Sequence, residues 1–202
     1  MKKLVAAAVG ALLACGTGAA LAQGKQDANA LATGVCSACH GPEGRSVSSV
    51  FPRLAGQQAA YIILQLDAFR SHTRADPNAQ AYMWGMASQL SDETIKALAD
   101  YYASQKPSHE KAGDSALMAE GEKIYAQGIK ANNVPACASC HGAKGEGLGA
   151  FPRLAGQHVD YLVAQLQGFQ SGVRANAPIM LGVVRTLTAE QIKAVSSYAA
   201  SR

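Results

Sequence analysis

Apolar residues recur along this chain at helical spacing, and the stripes they form come in matched pairs. Ile62, Leu66 and Phe69 stand at i, i+4 and i+7, and Leu162, Leu166 and Phe169 repeat the figure. Each segment therefore presents one apolar face to a core. Ile95, Leu98, Ala99 and Tyr102 draw a further stripe, mirrored more weakly by Ile192, Val195 and Ala199. Helix starts are marked as well: Ser91 precedes Asp92 and Glu93, and Thr188 with Gln191 has capping-box spacing. The segments before Cys36 and Cys137 are also expected to be helical, the first kept short by Gly34. Gly145, Gly147 and Gly149 mark a loop, with Gly44 its sparser counterpart. The expected fold class is all-α.

The pairing extends to the letters themselves. Phe51-Pro52-Arg53-Leu54-Ala55-Gly56-Gln57 recurs unchanged as Phe151 to Gln157, and Tyr61, Gln65, Leu66, Phe69, Ser71 and Arg74 recur 100 residues on. Nearer the ends the offset shortens to 97, where Met83, Leu90, Ile95, Lys96 and Tyr101 match Met180, Leu187, Ile192, Lys193 and Tyr198. Such a pattern is a tandem duplication with length changes confined to loops. Between the copies, Ser104 to Ser115 carries Pro107, Gly113 and mixed charge without apolar periodicity, and reads as a linker.

The first residues read as an export signal. Lys2 and Lys3 form a charged start, Leu4 to Leu13 an apolar run, and Ala20-Leu21-Ala22 a small-residue cleavage site before Gln23. The expected division is a signal peptide over 1–22, a first domain over 23–107 and a second over 108–202. Leu12-Leu13-Ala14-Cys15 imperfectly resembles a lipoprotein cleavage box, so a lipid anchor at Cys15 stays open beside the cleaved leader. Without Lys2 and Lys3, 16 basic side chains face 14 acidic ones, a balance that argues against nucleic acid as a partner. Residues 23–107 hold seven of each sign and 108–202 hold nine basic against seven acidic, a weak bias only.

The chemistry lies in Cys36-Ser37-Ala38-Cys39-His40 and Cys137-Ala138-Ser139-Cys140-His141, two copies of one pentapeptide 101 residues apart. Thiols three positions apart can each add across one vinyl group of a haem, and the adjacent histidine then reaches the iron. A redox disulfide would need a βαβ context, and no strand-like alternation flanks these cysteines. A zinc site of four cysteines would leave both histidines unexplained. The expected cofactors are two covalently bound c-type haems, held through Cys36, Cys39, Cys137 and Cys140, with His40 and His141 on the irons. Halves of this length are small for a self-sufficient core, so folding is expected to depend on the buried macrocycles.

A thioether is a soft, neutral sixth ligand that favours ferrous iron. After His141 the only methionine is Met180, seven residues before Leu187; in the first half Met83 and Met86 both qualify, but only Met83 stands seven before Leu90. Met83 and Met180 are the expected axial ligands, with Met86 and Met118 expected to pack in cores. Arg53 and Arg153 are expected either to pair with haem propionates or to be solvated. His72, His109 and His158 have no histidine in the other half and are expected to be exposed rather than ligating. Trp84 adjoins Met83 and is a candidate for the first haem pocket, although its counterpart Leu181 favours simple packing.

Taken together these residues resemble the cytochrome c4 family, diheme carriers built from two tandem class I cytochrome c domains. The resemblance implies His/Met ligation, with Pro52 and Pro152 as the prolines whose carbonyls accept the histidine N–H. It also implies a monomer in the periplasm, loosely associated with the inner membrane or free, that moves single electrons. The implied donor is a quinol-oxidising bc1-type complex and the implied acceptor a terminal oxidase of the cbb3 type. No enzymatic activity is expected, because irons holding His and Met have no open position. The alternatives are the diheme subunit of a sulfide-oxidising flavocytochrome, a diheme peroxidase and a haem-based gas sensor.

Overall fold

The computed structural model describes residues 27–202, so the expected leader, with Cys15, lies outside the described residues. The regular elements there are helical, joined by isolated β-bridges at Ile129–Val134 and Leu148–Phe151. In the first half α1 (Ala28–Ala30) passes through a π-helical turn, Leu31–Cys36, directly into α2 (Ser37–His40). Gly34 was expected to shorten this helix, yet the chain stays helical across it. Glycine costs an isolated helix about 1 kcal/mol, and burial of the neighbouring Ala32 against the core overrides that preference. There follow α3 (Ala59–Arg70), a π-helical turn at Ala79–Met83, α4 (Trp84–Ala87) and α5 (Asp92–Ala103).

The second half repeats the plan with α6 (Ser115–Gln127), α7 (Ala138–His141), α8 (Val159–Gln170), α9 (Pro178–Val184) and α10 (Ala189–Ala200). Its entry helix is longer but stops at Gln127, so Cys137 is reached by a loop rather than by a continuous helix. Both expected starts are present. Ser91 Oγ accepts the Thr94 N–H at 3.2 Å, and Thr188 with Gln191 closes a capping box.

In each half the last helix is the hub: α5 packs on α3 and α1, and α10 on α8 and α6. The paired stripes meet there. Ile62, Leu66 and Phe69 face Ile95, Leu98, Ala99 and Tyr102 in one core. In the other half Leu162, Val195 and Tyr198 pack with Ile124 and Tyr125, while Phe169 and Ile192 close on Val134, Val184 and Leu187. The crossing of α6 on α10 requires a glycine, since a Cβ on Gly121 would lie 2.2 Å from the Ala194 carbonyl oxygen.

The halves are docked through their duplicated loops. Gly56 N–H donates to the Tyr102 carbonyl and Gly156 N–H to that of Ala200, tying each Phe-Pro-Arg-Leu-Ala-Gly-Gln loop to its own last helix. The side-chain amides of Gln57 and Gln157 then each engage the other half's loop. Contacts of residue i with j+100 and of j with i+100 define an approximate twofold, as in an isologous interface. The linker is part of this junction, because Glu110 pairs with Arg53 at 2.7 Å.

Candidate haem-binding site

Cys36, Cys39 and His40 stand at i, i+3 and i+4 of one helical run, and Cys137, Cys140 and His141 do the same at α7. That spacing puts all three side chains on a single helix face. Each run ends in a glycine of positive φ, Gly41 at 74° and Gly142 at 81°, which turns the chain away after the histidine.

His40 Nδ1 lies 2.9 Å from the Pro52 carbonyl oxygen, and His141 Nδ1 lies 3.0 Å from that of Pro152. A carbonyl oxygen only accepts, so Nδ1 carries the proton. Nε2 keeps its lone pair and has no hydrogen-bond partner among the described residues. The ring orientation and tautomer of a metal-ligating imidazole are thereby fixed. Burial pushes both imidazoles below the usual histidine range, outweighing the carbonyl bonds that would raise them, and so favours the neutral, ligating form. Burial also raises the Cys36 thiol and takes that of Cys137 to about 11, the opposite of an activated redox thiolate.

A continuous cavity of about 890 Å³ runs through both halves. Cys36, Cys39, His40 and Met83 line it on one side of the junction, and Cys137, Cys140, His141 and Met180 on the other. Its walls are largely apolar, with Leu66, Phe69 and Leu98 in the first half and Leu162, Leu166 and Val195 in the second. The Tyr102 hydroxyl is buried there without a hydrogen-bond partner. An apolar slot, two cysteines and a free imidazole lone pair are the donor set and shape that a covalently held haem requires.

Three expectations are corrected. Met86 is not packed in the core: it is 56 % exposed and lines the cavity, being placed one turn beyond Met83 on α4. Met118 does pack against the second core. Trp84, as the comparison with Leu181 favoured, packs against the first core and stands outside the cavity lining, with its indole turned to Arg74 and His72. His158 is buried rather than exposed, because it sits in the junction and its Nε2–H donates to the Ser46 carbonyl at 3.0 Å. His72 and His109 are exposed, and none of these three histidines lines the cavity. Arg53 is neither solvated nor free, since it donates to Glu110 and to the Gly156 carbonyl across the junction.

The junction carries a polar cluster that sequence reasoning noted only as repeated letters. Arg74 donates to Asp76 at 2.8 Å, to Gln65 at 3.0 Å and, across the junction, to Gln165 at 2.9 Å and Tyr161 at 3.2 Å. Arg174 reciprocates, donating to Tyr61 at 2.9 Å, to Gln65 at 3.0 Å and to Gln165. Both guanidinium groups are buried, line the cavity and lie over the rings of Phe69 and Phe169. Burial by itself would lower the Arg74 pKa, but Tyr161, Tyr61 and the Asp76 carboxylate outweigh it and raise the pKa. The signal was available: polar residues kept identical in both copies at one offset, where no apolar periodicity asks for them.

Fold and site together define a c-type cytochrome of two domains. A family profile described as Cytochrome c matches residues 25–106 and again 118–201. The cytochrome c4 of Thiocapsa roseopersicina is 42% identical over 178 residues, 86% of this chain and 90% of that protein. A solved cytochrome c4 structure from Acidithiobacillus ferrooxidans is 42% identical with a TM-score of 0.78, covering 83% of this chain and 98% of that one. A protein of Stutzerimonas stutzeri named thiosulfate dehydrogenase electron acceptor is 38% identical over 172 residues, 82% of this chain and 78% of that protein. The chain belongs to the cytochrome c4 family. It is a diheme c-type cytochrome, with one covalently bound haem in each of two tandem cytochrome c domains, and its business is electron transfer.

Proposed function

We propose that this protein is a periplasmic electron carrier, not an enzyme, that takes single electrons from a quinol-oxidising bc1-type complex and delivers them to a terminal oxidase of the cbb3 type. The domains are 23–107 and 108–202, behind a leader over 1–22. Cys36 and Cys39 hold the first haem and Cys137 and Cys140 the second. His40 with Met83, and His141 with Met180, are the axial pairs. Haem iron supplies reversible one-electron chemistry, and a His/Met pair raises its potential relative to two histidines.

The observation that carries the reading is the matched donor set. Met83 and Met180 occupy the same register in the duplication, line one cavity and pack against the cores of their own halves. The duplicate of Met86 is Val183, which has no sulfur to offer. With both axial positions supplied by the chain, neither site keeps a position for a substrate. No helix of the described residues is long and apolar enough to cross a membrane.

Reoxidation of the reduced protein by oxidase-containing membranes tests the reading. Rapid oxidation of both haems, abolished by an oxidase inhibitor, is expected; no oxidation above the autoxidation rate contradicts it. A second reading has the relative named thiosulfate dehydrogenase electron acceptor behind it. Under that reading electrons arrive from sulfur-compound oxidation, and a purified thiosulfate dehydrogenase with thiosulfate reduces the protein faster than a quinol-oxidising complex does.

A further inference from the structure

The two methionine segments are not held alike. In the first half Trp84, next in the chain after Met83, donates its indole Nε1–H to the Arg74 carbonyl at 2.8 Å. The same ring stacks on the His72 imidazole, with centroids 4.0 Å apart and planes 14° from parallel. In the second half the corresponding residues are Leu181 and Gly172. These two are neighbours in space as well, since a Cβ on Gly172 would meet Leu181 Cδ1 at 3.9 Å. Leucine offers neither a donor to the Arg174 carbonyl nor a ring to stack.

His72 shows that this pair is maintained at a cost. Its φ is +60°, a left-handed conformation in which Gly172, at +79°, is unstrained. A non-glycine residue in this region persists when its surroundings hold it there, and here they hold an imidazole flat against the indole. The anchor at the other end of the hydrogen bond is firm. Arg74 is buried and its guanidinium is fixed by Asp76, Gln65, Gln165 and Tyr161, the last two belonging to the second half.

Building on the assignment of Met83 as axial ligand, we propose that Trp84 and His72 are positioning residues that clamp the Met83 segment to the domain junction and hold its thioether on the first haem. The second haem has no such clamp. The Met83 thioether is therefore displaced less readily than that of Met180.

The clamp is tested on the oxidised holoprotein by titrating with imidazole, following each haem's own methionine resonances by paramagnetic NMR. In the wild type the second haem takes imidazole first. Trp84→Leu raises the imidazole affinity of the first haem about tenfold, the loss expected for one hydrogen bond and a ring contact, and leaves the second unchanged. Trp84→Phe keeps the stack without the donor and falls between the two. His72→Gly installs the residue used in the second half, relieves the strained φ and still raises the affinity at the first haem, so the test survives a poorly folded tryptophan variant. Unchanged affinity at the first haem in both Trp84→Leu and His72→Gly overturns the proposal, as does an equal rise at both haems. Failure of the underlying ligand assignment reads differently: Met83→Ala would then leave the first haem's methionine resonances in place.

Discussion

The side-chain amide of Gln57 pairs with the backbone of Arg153 as one strand pairs with another: Nε2 donates to the Arg153 carbonyl at 3.0 Å and Oε1 accepts the Arg153 N–H at 2.7 Å. Gln157 does the same to Arg53, at 3.0 and 2.9 Å. Four hydrogen bonds thus join the loops whose carbonyls, at Pro52 and Pro152, orient His40 and His141, the two histidines proposed as ligands. Each proline that accepts from a histidine is followed directly by the arginine whose backbone is bound across the junction. Docking of the halves and positioning of the imidazoles are consequently one structural event.

Gln57→Ala removes two of these bonds and leaves the part-buried N–H and C=O of Arg153 unpaired, at a cost of about 1–3 kcal/mol. Gln157→Ala costs a similar amount. Calorimetry on the double variant is expected to split a single unfolding transition into two, one per domain. A single transition at the wild-type temperature would mean that the amides contribute nothing to docking.

His158 makes the junction sensitive to acid. Burial lowers its pKa, reinforced by the nearby Arg53 charge and only partly offset by Glu110, the Ser46 carbonyl and Asp160. The unfolded chain, with an ordinary value of 6.5, therefore binds this proton at a higher pH than the folded chain does. Stability is fully present above pH 6.5 and declines as pH falls from there towards the lowered folded value. His158→Asn is expected to flatten the melting-temperature profile below pH 6.5, checked by thermal melts between pH 5 and 8. A profile of unchanged slope would assign the acid sensitivity elsewhere.

Met83→Ala and Met180→Ala should each abolish one methionine-to-iron charge-transfer band and lower that haem's potential. The fall should be a sizeable fraction of the about 0.8 V that axial ligands span. Met86→Ala should keep both bands. Spectra and potentiometric titration of the three variants decide the matter, and loss of a band in Met86→Ala alone would move the first assignment.

How much of this was legible in the letters depended on whether one copy sufficed to read it. Stripes such as Ile62, Leu66 and Phe69 and the cap at Ser91 are local, and the duplication read each of them twice; the His40–Pro52 pairing, also within one domain, came through the family resemblance. Arg74, Gln165 and Gln57 act across the junction, and nothing in a linear sequence says which faces of two homologous domains meet. The burial of His158 is hidden for the same reason: the Ser46 carbonyl to which it donates belongs to the other half. Gly34 misled because helix propensity is weak beside packing.

The macrocycles should be part of the core. A cavity of about 890 Å³ walled by Leu66, Phe69, Leu162 and Leu166 leaves the cavity-facing sides of those core side chains without packing partners when no haem is attached. Protein made without haem attachment, or Cys137→Ser with Cys140→Ser, should show reduced helicity by circular dichroism and loss of the cooperative melt in the affected half. Full helicity in the haem-free chain would show that the polypeptide folds alone.

Because the duplicated loops dock one haem domain on the other, the two haems are expected to act as one relay, and flash reduction of a single haem tests this most directly. Following the two haems separately after a sub-stoichiometric pulse, the account predicts that the electron redistributes between them faster than either is oxidised by a partner. An electron that stays on the haem where it arrived until the partner removes it would contradict the account.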